Sequence, residues 1–217
     1  MPPRDTMADV RDLTAKASAL SKKGLSTREI AEELHLATDT INYLLEYGTE
    51  GMPPTDVKIG WRSIGVSGTR IALLSEILTD IAMEELDKHD EDVQAVLGIS
   101  LNGIPFATIM SQILGTDLVV YRPVGDAGGG GAFSSNFAAV NGKKVIIMDD
   151  VMSTGHTIRG AISDVKDSGG EPILALVIVN KSSADEIDGI PLRAIFRARS
   201  LGGTLLGGGP VKGFPYD

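Results

Sequence analysis

The sequence predicts an α/β protein in which an open, mostly parallel sheet flanked by helices follows a small all-α unit. Three observations carry this. From Ser67 onward, short apolar runs rich in Val and Ile alternate with longer amphipathic stretches, as strands and helices do in a parallel sheet. The first fifty residues instead hold three amphipathic segments at helical spacing. Between the two regions, Gly51, Pro53 and Pro54 cannot extend a helix and mark a linker. Residues 1–50 are therefore read as one domain, 51–66 as the linker leading out of it, and 67–217 as a second domain.

In the first unit, Val10, Leu13, Ala17 and Leu20 share one face of a helix that Gly24 stops. Ser26 with Glu29 forms a capping box for a short second helix whose Ile30, Ala31 and Leu34 face inward. A tight turn covers His35 to Ala37. Thr38 then caps a third helix, with Ile41, Leu44 and Leu45 inward, Thr38, Asp39, Thr40, Asn42 and Tyr43 outward, and Gly48 at its end. The second unit opens with a helix from Ser67 to about Lys88, a strand at Val93 to Ile99, a helix from Ile104 to Leu114 and a strand at Leu118 to Tyr121. After a glycine-rich gap come a strand at Lys144 to Met148, a helix at Thr157 to Asp167 and a β-branched strand at Ile173 to Val179. The low-complexity patches are Gly128 to Gly131 and the tail after Gly202, and no internal repeat is present.

Composition narrows the function classes. The 217 residues are 42% hydrophobic, enough for one α/β core and a small appendage. No apolar run reaches the roughly 18 residues of a membrane span, and no apolar block follows a basic start as in a secretory signal. With no cysteine, disulfides and thiolate metal sites are excluded, and a cytoplasmic location is expected. The net charge of -9 argues against broad nucleic-acid affinity, so any DNA contact must be local and assisted by dimerisation.

The stretch from Val145 to Ile158, Val-Ile-Ile-Met-Asp-Asp-Val-Met-Ser-Thr-Gly-His-Thr-Ile, is the most informative. An apolar strand ends in paired carboxylates, and a loop of hydroxyls and glycine runs into a helix start. Asp149 and Asp150 are adjacent acceptors suited to the vicinal hydroxyls of a ribose. Helix-start amides with the hydroxyls of Ser153, Thr154 and Thr157 supply the donors that a phosphate needs, and Gly155 permits close backbone approach. This pattern resembles the phosphoribosyltransferase family, especially its orotate-type branch. A second match, Gly98-Ile-Ser-Leu-Asn-Gly-Ile-Pro105, resembles the pyrophosphate loop of that branch. The resemblance spans about Ser67 to Gly203 and implies a type I phosphoribosyltransferase-like fold.

It further implies a 5′-phosphate loop at Met152, Ser153, Thr154, Gly155, His156 and Thr157, and a pyrophosphate site at Ser100, Leu101, Asn102 and Gly103 with Arg122. His156 stands where the family often has glycine, as a surface imidazole or as a contact to ligand or partner subunit. Magnesium would be held through the ligand, with no direct protein metal site. Orotate-type enzymes resemble one another in bringing Lys and Arg from a strand and mobile loop to the departing pyrophosphate. Here Tyr121 to Phe137 carries Arg122 as its sole cation. Binding without efficient transfer follows, and no catalytic residue is assigned. The competing reading is an active orotate or purine phosphoribosyltransferase in which Lys143, Lys181 or a partner subunit supplies the charge.

Ser26 to Leu45 resembles helix-turn-helix segments at nearly every apolar position. The recognition helix would start at Thr38, with Thr38, Asp39, Thr40 and Asn42 toward base edges, and Tyr43, Lys22, Lys23 and Arg28 on the DNA backbone. Against this, residues 1 to 50 hold six Lys or Arg and nine Asp or Glu. A three-helix dimerisation or partner-binding module is the alternative. The whole arrangement resembles archaeal orotate phosphoribosyltransferase-like transcriptional regulators linked to sugar catabolism. It implies a homodimer on double-stranded DNA that senses phosphoribosyl pyrophosphate, a nucleotide or a related sugar phosphate, and leaves the sign of the response open.

Overall fold

The computed structural model describes residues 6–49, 56–124 and 130–199. The prolines and glycine of the linker, most of the glycine-rich gap and the C-terminal tail lie outside the described residues.

The head is a three-helix cluster of α1 (Thr6–Lys22), α2 (Thr27–Leu34) and α3 (Thr38–Glu46) around Ala17, Ile30, Ala31, Leu34, Leu36, Ile41 and Leu44. The capping box at α2 is reciprocal. The Glu29 backbone N–H donates to Ser26 Oγ (3.3 Å), while the Glu29 carboxylate accepts from the Ser26 N–H (2.8 Å). The turn after α2 places His35 at φ 53°, a left-handed conformation uncommon outside glycine.

Two expectations for α3 are corrected. Its N-cap is Ala37, whose side chain cannot cap, and Thr38 is already helical. Asp56, from the linker, supplies the missing acceptor: its Oδ2 takes the Ala37 N–H (2.7 Å) and the Thr40 hydroxyl (3.1 Å). Thr40 is therefore buried rather than outward, and Tyr43 is half-buried, with its ring 5.3 Å from that of Tyr47. Asp39 and Asn42 are exposed as expected.

A short α4 (Arg62–Gly65) lies within the linker, and the long α5 (Gly68–His89) follows it. They are followed by β1 (Ala95–Ile99), α6 (Gly103–Leu114), β2 (Asp117–Pro123), β3 (Gly131–Phe133), β4 (Lys144–Met152), α7 (His156–Asp167), β5 (Glu171–Asn180), β6 (Glu186–Ile187) and β7 (Ile190–Arg197). The sheet order is β3-β2-β1-β4-β5-β7-β6. The five central strands are parallel, and β3 and β6 pair antiparallel at the two edges. Both faces are covered, which explains the continuous apolar runs of β1, β4 and β5. Successive β4 side chains alternate between layers: Val145 and Ile147 pack with Ile158, Ala161 and Val165 of α7, and Ile146 and Met148 with Leu78, Phe106 and Met110 of α5 and α6.

One carboxylate fastens the edge hairpin. Asp164 of α7 accepts from the Tyr121 hydroxyl (2.8 Å) and from the Gly131 N–H (2.6 Å). Burial and this bond push the Tyr121 phenol well above its ordinary value.

Candidate functional site

The site sits where the sheet changes winding direction. From β1 the chain turns through α6 to β2 on one side, and from β4 it turns through α7 to β5 on the other. The loops after β1 and β4 diverge there, leaving a crevice at the carboxyl ends of the strands. Ser100, Leu101 and Asn102 line one side of it, with the Ser100–Leu101 peptide cis. Asp149, Asp150 and the run from Val151 to Ile158 line the other.

Glycine is required at two points. A Cβ on Gly103 would lie 2.3 Å from the Met148 carbonyl oxygen, so α6 can begin against β4 only without a side chain. Gly155 caps α7 at φ 79°, and a Cβ there would meet Ile187 Cδ1 at 2.9 Å. The guanidinium of Arg159 steadies the intervening loop by donating to the Thr154 carbonyl (2.9 Å). Sequence reasoning ended β4 at Met148, but the strand continues to Met152, because Val151 and Met152 still pair with Val179 and Asn180 of β5. The acidic pair thus stands within the strand's last turns of pleat, one carboxylate on each face.

The two carboxylates differ. Asp150 is buried, and its Oδ2 accepts from Trp61 Nε1 (2.8 Å) and Asn102 Nδ2 (3.1 Å) and lies 3.4 Å from His35 Nδ1. Asp149 keeps partial exposure toward the crevice and accepts the Asp150 N–H through Oδ1 (2.9 Å). Burial among protein atoms, followed by the charge of Asp150, pushes the Asp149 carboxyl well above the usual carboxylate range.

The third wall comes from the head. Arg28, Ala31, Glu32 and His35 of α2 and its turn, with Leu36, Ala37 and Thr38 leading into α3, line the same crevice. Arg28 donates to Glu32 Oε1 through Nε (2.9 Å) and Nη2 (3.0 Å), and burial raises the Glu32 carboxyl despite that partner. At the end of β5, Lys181 is almost wholly buried. Its Nζ lies 2.6 Å from Asp56 Oδ1 and 3.4 Å from the His35 carbonyl oxygen. Asp56 is held below the ordinary carboxylate range, burial being outweighed by the Ala37 N–H and Lys181.

Of the residues singled out from sequence, the structure brings Ser100, Leu101, Asn102, Asp149, Asp150, Met152, Ser153, Thr154, Gly155, His156 and Thr157 around one crevice. Gly103 lies behind that wall, and Arg122 is exposed on β2 away from it. Arg28 and Thr38, assigned to DNA from sequence, face the crevice, whereas Asp39, Asn42, Lys22 and Lys23 are exposed. The sequence gives no site role to Glu32, His35 or Trp61, and Lys181 enters only in the competing reading, as a source of charge. No local pattern carries that signal, since His35 and Asp150 meet only through the docking of one unit on the other. Among the described residues no helix is long and apolar enough to cross a membrane.

Residues 70–194 match the phosphoribosyl transferase domain family. A protein of Thermoplasma acidophilum named transcriptional regulator GfcR is 46% identical over 200 residues, covering 91% of this chain and 100% of that protein. A protein of the same name from Picrophilus torridus is 50% identical over 193 residues, 88% of this chain and 98% of that one. Among solved structures, orotate phosphoribosyltransferase from Aeropyrum pernix aligns with a TM-score of 0.54 at 22% identity, over 70% of this chain and 83% of that one. The Mycobacterium tuberculosis orotate phosphoribosyltransferase in complex with 5-phospho-α-D-ribosyl 1-diphosphate aligns with a TM-score of 0.51 at 24% identity, over 64% and 80%. These structural likenesses establish the type I phosphoribosyltransferase fold of the sheet domain. The sequence relatives match along nearly their whole length, head included, and the chain belongs to the transcriptional regulator GfcR family, built on a phosphoribosyl transferase domain.

Proposed function

We propose that this chain is a DNA-binding transcriptional regulator whose phosphoribosyltransferase-like domain senses phosphoribosyl pyrophosphate or a related ribose phosphate without efficient transfer. The observation that carries this reading is the shared crevice. The acidic pair and the hydroxyl-rich loop of a phosphoribosyl transferase domain face the turn of a helix-turn-helix head, so a ligand at the first must be felt at the second. The ligand's ribose hydroxyls would take Asp149 and Asp150, its 5′-phosphate the Ser153 to Thr157 loop, and its pyrophosphate the Ser100 to Gly103 loop. Magnesium would arrive with the pyrophosphate. Such an ion would be held mainly by phosphate oxygens and water.

Weak catalysis is supported by where the cations go. The cations from Arg28 and Lys181 each face a carboxylate, Lys143 is drawn off to Asp117 (2.7 Å), and the segment from Pro123 to Gly142 contains no Lys or Arg. A pyrophosphate departing here would develop charge without a dedicated donor. We further infer a homodimer acting in the cytoplasm on paired half-sites, with exposed Leu73 and Ile77, one turn apart on α5, available to a second copy. Selection of bound sequences from random duplex DNA at fixed salt, repeated with phosphoribosyl pyrophosphate and magnesium, tests the regulator. Enriched sequences whose retention changes with the sugar are expected. Rapid nucleotide formation from orotate, uracil or a purine base, with no DNA enrichment, would favour the enzyme instead.

A further inference from the structure

We propose that the helix-turn-helix head occupies the ligand crevice as a competitor, with His35 on Asp150, so that a phosphorylated pentose and the docked head exclude one another. This rests on the reading that the crevice takes a ribose phosphate, and it supplies the sign of the response: ligand releases the head.

Four observations carry it. First, Asp150 is buried and its Oδ2 is crowded. Trp61 and Asn102 already donate to that oxygen, and His35 stands 3.4 Å from it. A ribose hydroxyl must displace a neighbour to reach that oxygen, and His35 belongs to the unit that can move. Second, the crevice closed by the head holds about 90 Å³, against the roughly 300 Å³ and more of typical small-molecule sites. A sugar carrying two phosphate groups needs the wall to withdraw. Third, the closing contacts lie on the side of the head that would read DNA. Ala37 and Thr38 at the start of α3 line the crevice, and Thr40 is buried against Asp56. A docked head hides the end of the recognition helix that enters a groove. Fourth, docking crowds acids. Burial, and after it the repulsion between Glu32 of the head and the acidic pair, pushes both Glu32 and Asp149 toward their neutral forms. The latch that offsets this repulsion is small: His35 to Asp150, and Asp56 to Lys181 with the His35 carbonyl.

Linkage makes the competition reciprocal: whatever undocks the head strengthens ligand binding, and ligand strengthens what the free head binds. Glycine at position 35 suits the left-handed φ of 53° and removes only the imidazole, so His35→Gly weakens the latch without disturbing the turn. Asp56→Asn weakens it independently by removing the charge that faces Lys181.

The experiment titrates the full chain and both variants with phosphoribosyl pyrophosphate and magnesium by calorimetry. In parallel it follows the emission of Trp61, the protein's single tryptophan, whose ring lies 6.1 Å from that of His35. Tighter binding by roughly fivefold or more in His35→Gly and in Asp56→Asn is expected. So is a ligand-dependent shift of Trp61 emission in the unaltered chain that is largely present before ligand in His35→Gly. Heat in all three proteins with unchanged or weaker affinity in both variants would overturn the competition while leaving the ribose-phosphate site intact. No heat in any of them would overturn the site itself and the competition with it. Heat in the variants alone would mark a latch strong enough to exclude the ligand, and would support the proposal.

Discussion

Asp149 and Asp150 show how neighbours of identical chemistry part company. The pair was legible from sequence because two acids at the end of an apolar run are chemically conspicuous, yet their division of labour was not. It depends on Trp61 and Asn102, which both donate to Asp150 Oδ2, while Asp149 faces the crevice. Since folding raises the Asp149 carboxyl above its ordinary 3.8, the native state is the better proton binder. Its contribution to stability is full below pH 3.8 and is lost as pH rises through the raised native value. Asp149→Asn is therefore expected to leave stability at pH 7 equal or higher in denaturant titrations, the advantage vanishing below pH 3.8, while calorimetric binding of phosphoribosyl pyrophosphate disappears. A clear loss of stability at pH 7 would contradict the assignment of a strained carboxylate.

At the scale of elements, the helices other than α4 and the strands β1, β2, β4 and β5 followed from periodicity and punctuation, and their ends fell within a few residues. The short α4 and strands β3, β6 and β7 did not. β7 alternates apolar residues with Arg193 and Arg197, so it carries no unbroken apolar run, and β3 is three residues inside a glycine-rich stretch. Both exist because a neighbouring strand offers an unpaired edge, which is information held elsewhere in the chain. α2 is the opposite case, a helix of eight residues announced by its cap. Because so short a helix depends on its first turn, Ser26→Ala is expected to cost about 1 kcal/mol. Amide exchange in α2 should accelerate about fivefold relative to β4 in the same sample. Equal protection in the variant would show that packing of Ile30 and Leu34 alone holds the helix.

For the whole molecule, the decisive contacts join residues far apart in the chain: His35 with Asp150, and Asp56 with Lys181. Spacing rules reach a turn or a hairpin and do not reach these, which is why the two units were legible and their union was not. The Asp56–Lys181 pair is buried on both sides, so removing one partner leaves an uncompensated charge. Lys181→Met is expected to cost about 3 kcal/mol at that joint. Scanning calorimetry should then divide one melting transition into an earlier one for the head and a later one for the sheet. A single transition at lower temperature would mean the head has no stability of its own. The Asp164 clasp on Tyr121 and Gly131 has a different kind of consequence. It joins Tyr121 and Gly131 through a carboxylate that belongs to α7, so this anchorage of the hairpin depends on no residue's charge in the glycine-rich sequence between them. Lysines introduced into that sequence would leave the clasp's own three partners untouched, and the difference between a sensor and a transferase would narrow to a handful of charges.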